Sequence, residues 1–238
     1  MKGLGKFLSE TLFPNNFTCD ICGIETFETN ICDECLKTIE FNNKTTCPVC
    51  GRKTVRAEIC YECKARAPLF KKGVSALIYR DGAAVLIKKF KNGNGYLKEY
   101  FADLLAEKVK QLPLADCIVY VPMTEKAVIK RGYNQGELLA KSLSVRSSIP
   151  VLKNAVVKVK DTSEQKSLSQ KERLKNLKGC FSVKKRNEVN DKNILLVDDV
   201  LTTGATAETV CRKLLKAGAA HVYLATVASV EFKLEKKD

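Results

Sequence analysis

Apolar residues along most of this chain come in short unbroken runs separated by longer amphipathic stretches, the pattern of buried strands alternating with surface helices. The clearest run, Ile194-Leu195-Leu196-Val197, is continuous rather than alternating and suits a parallel strand covered on both faces. It ends in two adjacent carboxylates, Asp198 and Asp199. A helical pattern follows, with Val210, Leu214 and Leu215 on one face and a stop at Gly218. Further strands are expected over residues 74–79, 117–121, 151–157 and 222–228 and near Phe181. From Tyr96 to Val109, Leu97, Tyr100, Phe101, Leu104 and Leu105 recur at helical spacing, and another helix is expected through Leu143. This order predicts an α/β domain, a parallel sheet flanked by helices, over residues 71–238. The character changes after Pro68, so residues 1–70 are expected to form a separate small domain.

Between the best strand and its helix lies Thr202-Thr203-Gly204-Ala205-Thr206, small and rich in hydroxyls. Ligands of open α/β sheets bind at the carboxyl ends of strands. There, backbone N–H groups and threonine hydroxyls would converge on an anion at the helix start. Two acids just ahead of it can hold a ribose diol. A P-loop is excluded, because no Gly-Lys-Ser/Thr follows at the required spacing. The plainer alternative is a capped helix with Thr206 as N-cap and both acids on a solvated turn. Strand, acid pair, hydroxyl loop and helix start all agree against it. The stretch resembles the phosphoribosyl pyrophosphate (PRPP) motif of type I phosphoribosyltransferases. That resemblance implies Asp198 and Asp199 on the ribose hydroxyls, Thr202, Thr203, Gly204, Ala205 and Thr206 around the 5-phosphate, and Mg2+ accompanying PRPP.

Other polar segments are placed relative to this one. Lys130 and Arg131 are expected on a loop after the strand at 117–121, where they could hold the pyrophosphate; the alternative is a solvated loop. A basic segment, Lys88 to Gly93, follows the first strand. Residues 158–168 are polar without periodicity and read as a mobile lid, followed by a short helix through Arg173 and Asn176. His221, the only histidine, reads as an ordinary strand residue, and residues 231–238 as a charged tail. No residue stands out as a general base.

The amino-terminal segment is organised by cysteines. Cys19, Cys22, Cys32 and Cys35 recur 28 residues later as Cys47, Cys50, Cys60 and Cys63, and Gly23 and Gly51 follow the second cysteine of each unit. Each unit supplies four thiolates, enough for one closed tetrahedral site. Two structural Zn2+ are therefore expected, one per unit, with an iron–sulfur cluster as the rival. Four cysteine ligands leave no open position for water, which argues against catalysis there. The glycines fit tight knuckles that need a positive φ.

Composition adds location and partners. Met1 to Leu8 lacks the apolar core of a signal peptide and no run reaches transmembrane length, so a cytoplasmic chain without membrane insertion is expected. Eleven cysteines in such a chain point to metal rather than disulfides. The net charge is +14; residues 1–70 hold nine Lys/Arg and nine Asp/Glu, so the excess lies in residues 71–238. A basic surface of that kind attracts phosphates, on a small ligand or on nucleic acid, although it also serves solubility.

The full series of motifs is more specific. Four Cys-x-x-Cys pairs, Lys-Phe-x-Asn-Gly, Val-Pro before Arg-Gly-Tyr-Asn-Gln, then Gln165, Leu168, Arg173, Asn176, Gly179 and Phe181, and finally Val-Asp-Asp-Val-Leu-Thr-Thr-Gly-Ala-Thr, resemble the bacterial ComF family over nearly the whole chain. The resemblance implies a double zinc ribbon, a type I phosphoribosyltransferase fold, and a part in handling incoming single-stranded DNA during natural competence. A competence helicase or other DNA-processing proteins are then expected partners. Departures occur at Met123 and Thr124, where the family usually repeats Val-Pro, and at Lys158 and Lys160, where it often has arginine. Two functions follow: phosphoribosyl transfer to an unidentified acceptor, or a non-catalytic DNA-handling adaptor with PRPP as regulator. A glutamine amidotransferase is not expected, because the first cysteine is Cys19 and belongs to the metal-binding set. Both acids are expected to matter for PRPP and not for folding.

Overall fold

The computed structural model describes residues 17–26, 29–160 and 177–231. The expected helix through Arg173 and Asn176, most of the polar stretch before it and the tail beyond residue 231 lie outside these. The core is a four-stranded parallel sheet of β3 (Lys72–Ile78), β4 (Cys117–Tyr120), β7 (Asn193–Leu201) and β8 (His221–Ser229), in the order β3-β8-β7-β4. Helices cover both faces. On one face α3 (Asp81–Lys91), α4 (Lys98–Val109) and α6 (Gln135–Ser147) bring Phe90, Phe101, Leu105 and Leu139 onto Leu195 and Val197. On the other, α8 (Ala205–Lys216) brings Val210, Cys211 and Leu214 onto Ile194 and Leu196. Successive residues of a strand point to opposite faces, so a run buried on both must be apolar at every position. That is why residues 194–197 do not alternate.

Several boundaries differ from the sequence expectation. The strand expected at 151–157 is broken: Val151 makes a single bridge to Ile118, and Asn154 turns the chain with φ +55°, a conformation asparagine tolerates. The chain resumes as β5 (Val156–Lys158), which pairs antiparallel with β6 (Phe181–Val183) in a separate ribbon. Tyr96 belongs to a 3-10 turn, Gly95–Leu97, that leads into α4. The basic stretch from Lys88 is mostly the last turn of α3, and Lys130 and Arg131 end a helix, α5 (Glu125–Arg131), rather than lying on a loop. Thr124 caps α5 by accepting from the Ala127 N–H, so the capped turn takes hold where a loop was expected.

The cysteine units form two lobes. The first contains the hairpin β1 (Phe17–Thr18) and β2 (Glu25–Thr26) and the short helix α1 (Asp33–Lys37); the second contains α2 (Tyr61–Ala65). Cys32 and Cys60 precede these helices and Cys35 and Cys63 lie within them. The second lobe lies directly against the sheet. Gly73 N–H donates to Val49 O at 2.7 Å, and Asn42 Nδ2 donates to Gly51 O at 2.7 Å and to Ser75 O at 3.1 Å. A Cβ at Gly51 would stand 2.5 Å from Gly73 O, so only glycine permits this approach. Among the described residues, no helix is long and apolar enough to cross a membrane.

Candidate functional site

The strand bearing the acid pair runs further than expected. Pairing of β4 with β7 ends at Tyr120 opposite Val197, while pairing of β7 with β8 continues to Leu201 opposite Ser229. Asp198 and Asp199 therefore stand just past the end of β4, on the one side of β7 that the sheet leaves open. Ligands of this architecture enter at such a place.

The two acids have different surroundings. Asp199 is buried, and its Oδ1 lies 2.8 Å from Lys91 Nζ, brought in by the last turn of α3. Its Oδ2 accepts from Gln135 Nε2 at 3.1 Å, at the first residue of α6. Burial works against the Lys91 ammonium, but Asp199 and then Asp198 outweigh it and hold it above its ordinary value. Asp198 Oδ1 accepts only the Asp199 backbone N–H, at 2.8 Å, among its described hydrogen bonds. Burial first, and then the Asp199 charge, push the Asp198 carboxyl up to about 7, against the Asp199 N–H and Lys91. The pair thus combines one carboxylate in a direct ion pair with one that burial and its neighbour disfavour in the charged form.

The basic residues expected near pyrophosphate separate as well. Arg131 Nη1 donates to Gln135 Oε1 at 2.5 Å, so Arg131 reaches Asp199 through Gln135. Lys130 is exposed on the same turn and is not drawn into this network. Lys91 is the cation the sequence did not single out; it lies within a basic segment whose spacing gives no hint of which lysine turns inward.

The hydroxyl loop is shorter than expected. Thr202 to Gly204 connect β7 to α8, and Ala205 and Thr206 are already in the first helical turn. Gly204 is the N-cap with φ +79° and has no side chain with which to cap the helix. The first N–H groups of a helix have no partner within it and carry the positive end of its dipole. The turn is therefore open to an anion. Thr203 Oγ1 accepts from the Ala205 N–H at 3.4 Å.

The eight paired cysteines form two separate groups, Cys19, Cys22, Cys32 and Cys35 in one and Cys47, Cys50, Cys60 and Cys63 in the other, each with all four sulfurs within 4.8 Å of one another. Sulfurs bound to one zinc at ~2.3 Å stand about 3.8 Å apart. The Cys22–Cys32 and Cys50–Cys60 Sγ separations of 3.8 and 3.6 Å fit that requirement. Backbone N–H groups of Cys32 and Cys60 point at Cys19 and Cys47 Sγ at 3.4 Å, as they would towards thiolates. Gly23 and Gly51 have φ of +79° and +71°, as the knuckles require.

Comparison with known proteins agrees with both parts. Residues 101–238 match the phosphoribosyl transferase domain family and residues 8–64 the double zinc ribbon domain family. Competence protein F of Haemophilus influenzae is 34% identical over 85% of this chain and 93% of its own length. The DNA utilization protein YhgH of Escherichia coli K12 is 36% identical over 50% of this chain and 52% of its own. Competence protein ComFC of Bacillus subtilis is 34% identical over 43% of this chain and 40% of its own.

Proposed function

Since the chain belongs to the ComF family, which joins a double zinc ribbon to a type I phosphoribosyltransferase domain, we propose that it binds PRPP and transfers the phosphoribosyl group to an acceptor with loss of pyrophosphate. The observation that carries this reading is the pairing of an acid pair left open by β4 with the helix start at Gly204, whose N-cap brings no side chain. The 5-phosphate is assigned to the N–H groups and hydroxyls of Thr202 to Thr206, and the ribose hydroxyls to Asp198 and Asp199. Arg131 is the pyrophosphate candidate the network favours, and Lys130 the outer one. Mg2+ suits such a site because it binds through one or two carboxylates plus substrate phosphates rather than a protein cage; when bound it would balance the leaving group's charge. In this reading Lys91 orients Asp199 through their ion pair, and Gln135 ties that carboxylate to Arg131.

Two structural zinc ions hold the lobes, and the domain boundary of this reading falls between residues 70 and 71, with the second lobe docked on the sheet. In this reading the protein acts in the cytoplasm on DNA taken up during competence; two of its relatives are named for competence and one for DNA utilization. The charge excess in residues 71–238 favours a second reading, an adaptor for single-stranded DNA or for a DNA-processing helicase in which PRPP regulates rather than reacts. The test is incubation with PRPP, Mg2+ and candidate acceptors including DNA, followed by mass spectrometry. A ribosylated product supports transfer; PRPP binding without product supports the adaptor; no PRPP binding by calorimetry overturns both.

A further inference from the structure

The two cysteine lobes are equivalent in sequence but not in what they touch. Arg52 follows the second knuckle, and its counterpart 28 residues earlier is Ile24. Ile24 is 64% exposed, whereas Arg52 is 3% exposed. Its backbone belongs to the knuckle, since Arg52 O accepts from Cys47 N–H at 2.7 Å. Its side chain reaches beyond the lobe. Nη1 donates to Leu201 O at 3.1 Å and to Val230 O at 2.8 Å, and Nη2 donates to Thr202 O. Leu201 is the last residue of β7, and Thr202 begins the loop assigned to the 5-phosphate.

We infer that Arg52 is a positioning residue of the phosphate loop, through which the second metal lobe, and not the first, sets the geometry of the ligand site. This rests on the PRPP reading for its ligand but not for the coupling itself. A rigid fork is needed, because three carbonyls in different directions are held by one side chain; a lysine offers a single compact head. The fork is anchored from behind: Gly51 sits against Gly73, and Asn42 holds the Gly51 carbonyl. A cleft of about 280 Å³ between lobe and loop, bordered by Cys50, Cys63, Thr203 and Gly204, gives the loop room to shift when the tether is lost. At the first lobe the corresponding side chain, Ile24, is apolar and exposed, and among the described residues no hydrogen bond runs from that lobe to the loop.

The experiment compares the full-length chain with Arg52→Gln, Arg52→Lys and, as a first-lobe control, Cys22→Ser. Zinc content, amide hydrogen exchange at Thr203 to Ala205 and PRPP affinity by calorimetry with Mg2+ are measured on each. Arg52→Gln is expected to keep two zinc ions, to exchange at least tenfold faster at those amides and to bind PRPP at least tenfold more weakly. Arg52→Lys should lie between it and wild type. Cys22→Ser should lose one zinc and leave both other readouts within twofold. The inference is overturned if Arg52→Gln, still carrying two zinc ions, retains wild-type exchange at Thr203 to Ala205, or if Cys22→Ser loosens those amides equally. Should Arg52→Gln fail to fold, Arg52→Lys decides by the same comparison. If wild type does not bind PRPP, the ligand reading fails while the exchange result still decides the coupling.

Discussion

Lys91 Nζ lies 2.8 Å from Asp199 Oδ1 and gives one of two consecutive acids a direct ion pair that the other does not make among the described residues. The sequence treats Asp198 and Asp199 as equals, both dispensable for folding. The geometry separates them. Asp199→Asn removes the partner of a largely buried ammonium, which is expected to cost about 1–3 kcal/mol; the upper range for broken buried pairs does not apply because the Lys91 side chain keeps 30% of its exposure. Asp198→Asn removes a burial cost and a repulsion from Asp199 that together outweigh its attraction to Lys91, and is expected to leave stability at pH 7.5 unchanged or slightly higher. Urea unfolding of both single variants checks this, and equal effects would remove the asymmetry.

The same contrast predicts a pH dependence. The Asp198 carboxyl is raised to about 7 in the folded chain, above an ordinary value near 4 when unfolded, so the native state binds the extra proton between those limits. Its contribution to stability is present in full below pH ~4 and is lost as pH rises through about 7. The stability of wild type relative to Asp198→Asn should therefore fall between pH 5 and pH 8. A flat difference in melting temperature across that range would show that the carboxyl is not raised.

Metal analysis of purified protein should find two zinc equivalents, one for each cysteine group. Cys47→Ser should lose one of them. Because small metal lobes derive folding energy from their metal, chelation should unfold residues 17–65 before the sheet. A single equivalent in wild type, or the visible absorbance of iron, would contradict this assignment.

Binding to single-stranded DNA should be weak, indifferent to sequence and steeply salt-dependent. Affinity should fall by roughly 0.7 log units per contacted phosphate for each log unit of salt. Fluorescence anisotropy on the full-length chain, repeated with lysines of residues 71–238 neutralised, measures it. Binding that survives that neutralisation would place the contact elsewhere.

Periodicity and spacing identified the strand at 194–197, its helix and the helix that ends at Val109, because a strand buried on both faces is apolar throughout and a helix buries one periodic stripe. The metal groups were legible for a related reason: four thiolates must come close together, and a 28-residue repeat leaves one simple way to do it. Lys91, Gln135 and Arg52 were not legible as site residues. Each acts through a contact whose partner is far away in sequence, Arg52 by 149 to 178 positions, and no local pattern encodes which lysine or arginine turns inward. The run at 151–157 misled because its apolar residues serve two different neighbours, Ile118 for Val151 and β6 for Val156, with a left-handed Asn154 between them.

The sheet order also governs when the site can exist. β3, the earliest strand of the sheet, pairs with β8, the latest, and β8 lies between β3 and β7. During synthesis the metal lobes and β3 emerge long before their partner, and Arg52 waits for carbonyls at Leu201, Thr202 and Val230 that are made only near the end. Closing such distant pairings is slow and leaves apolar edges exposed meanwhile. A nascent chain truncated before β8 would carry filled metal lobes and no anion-binding turn, so ligand capacity would appear only after the last strand is in place.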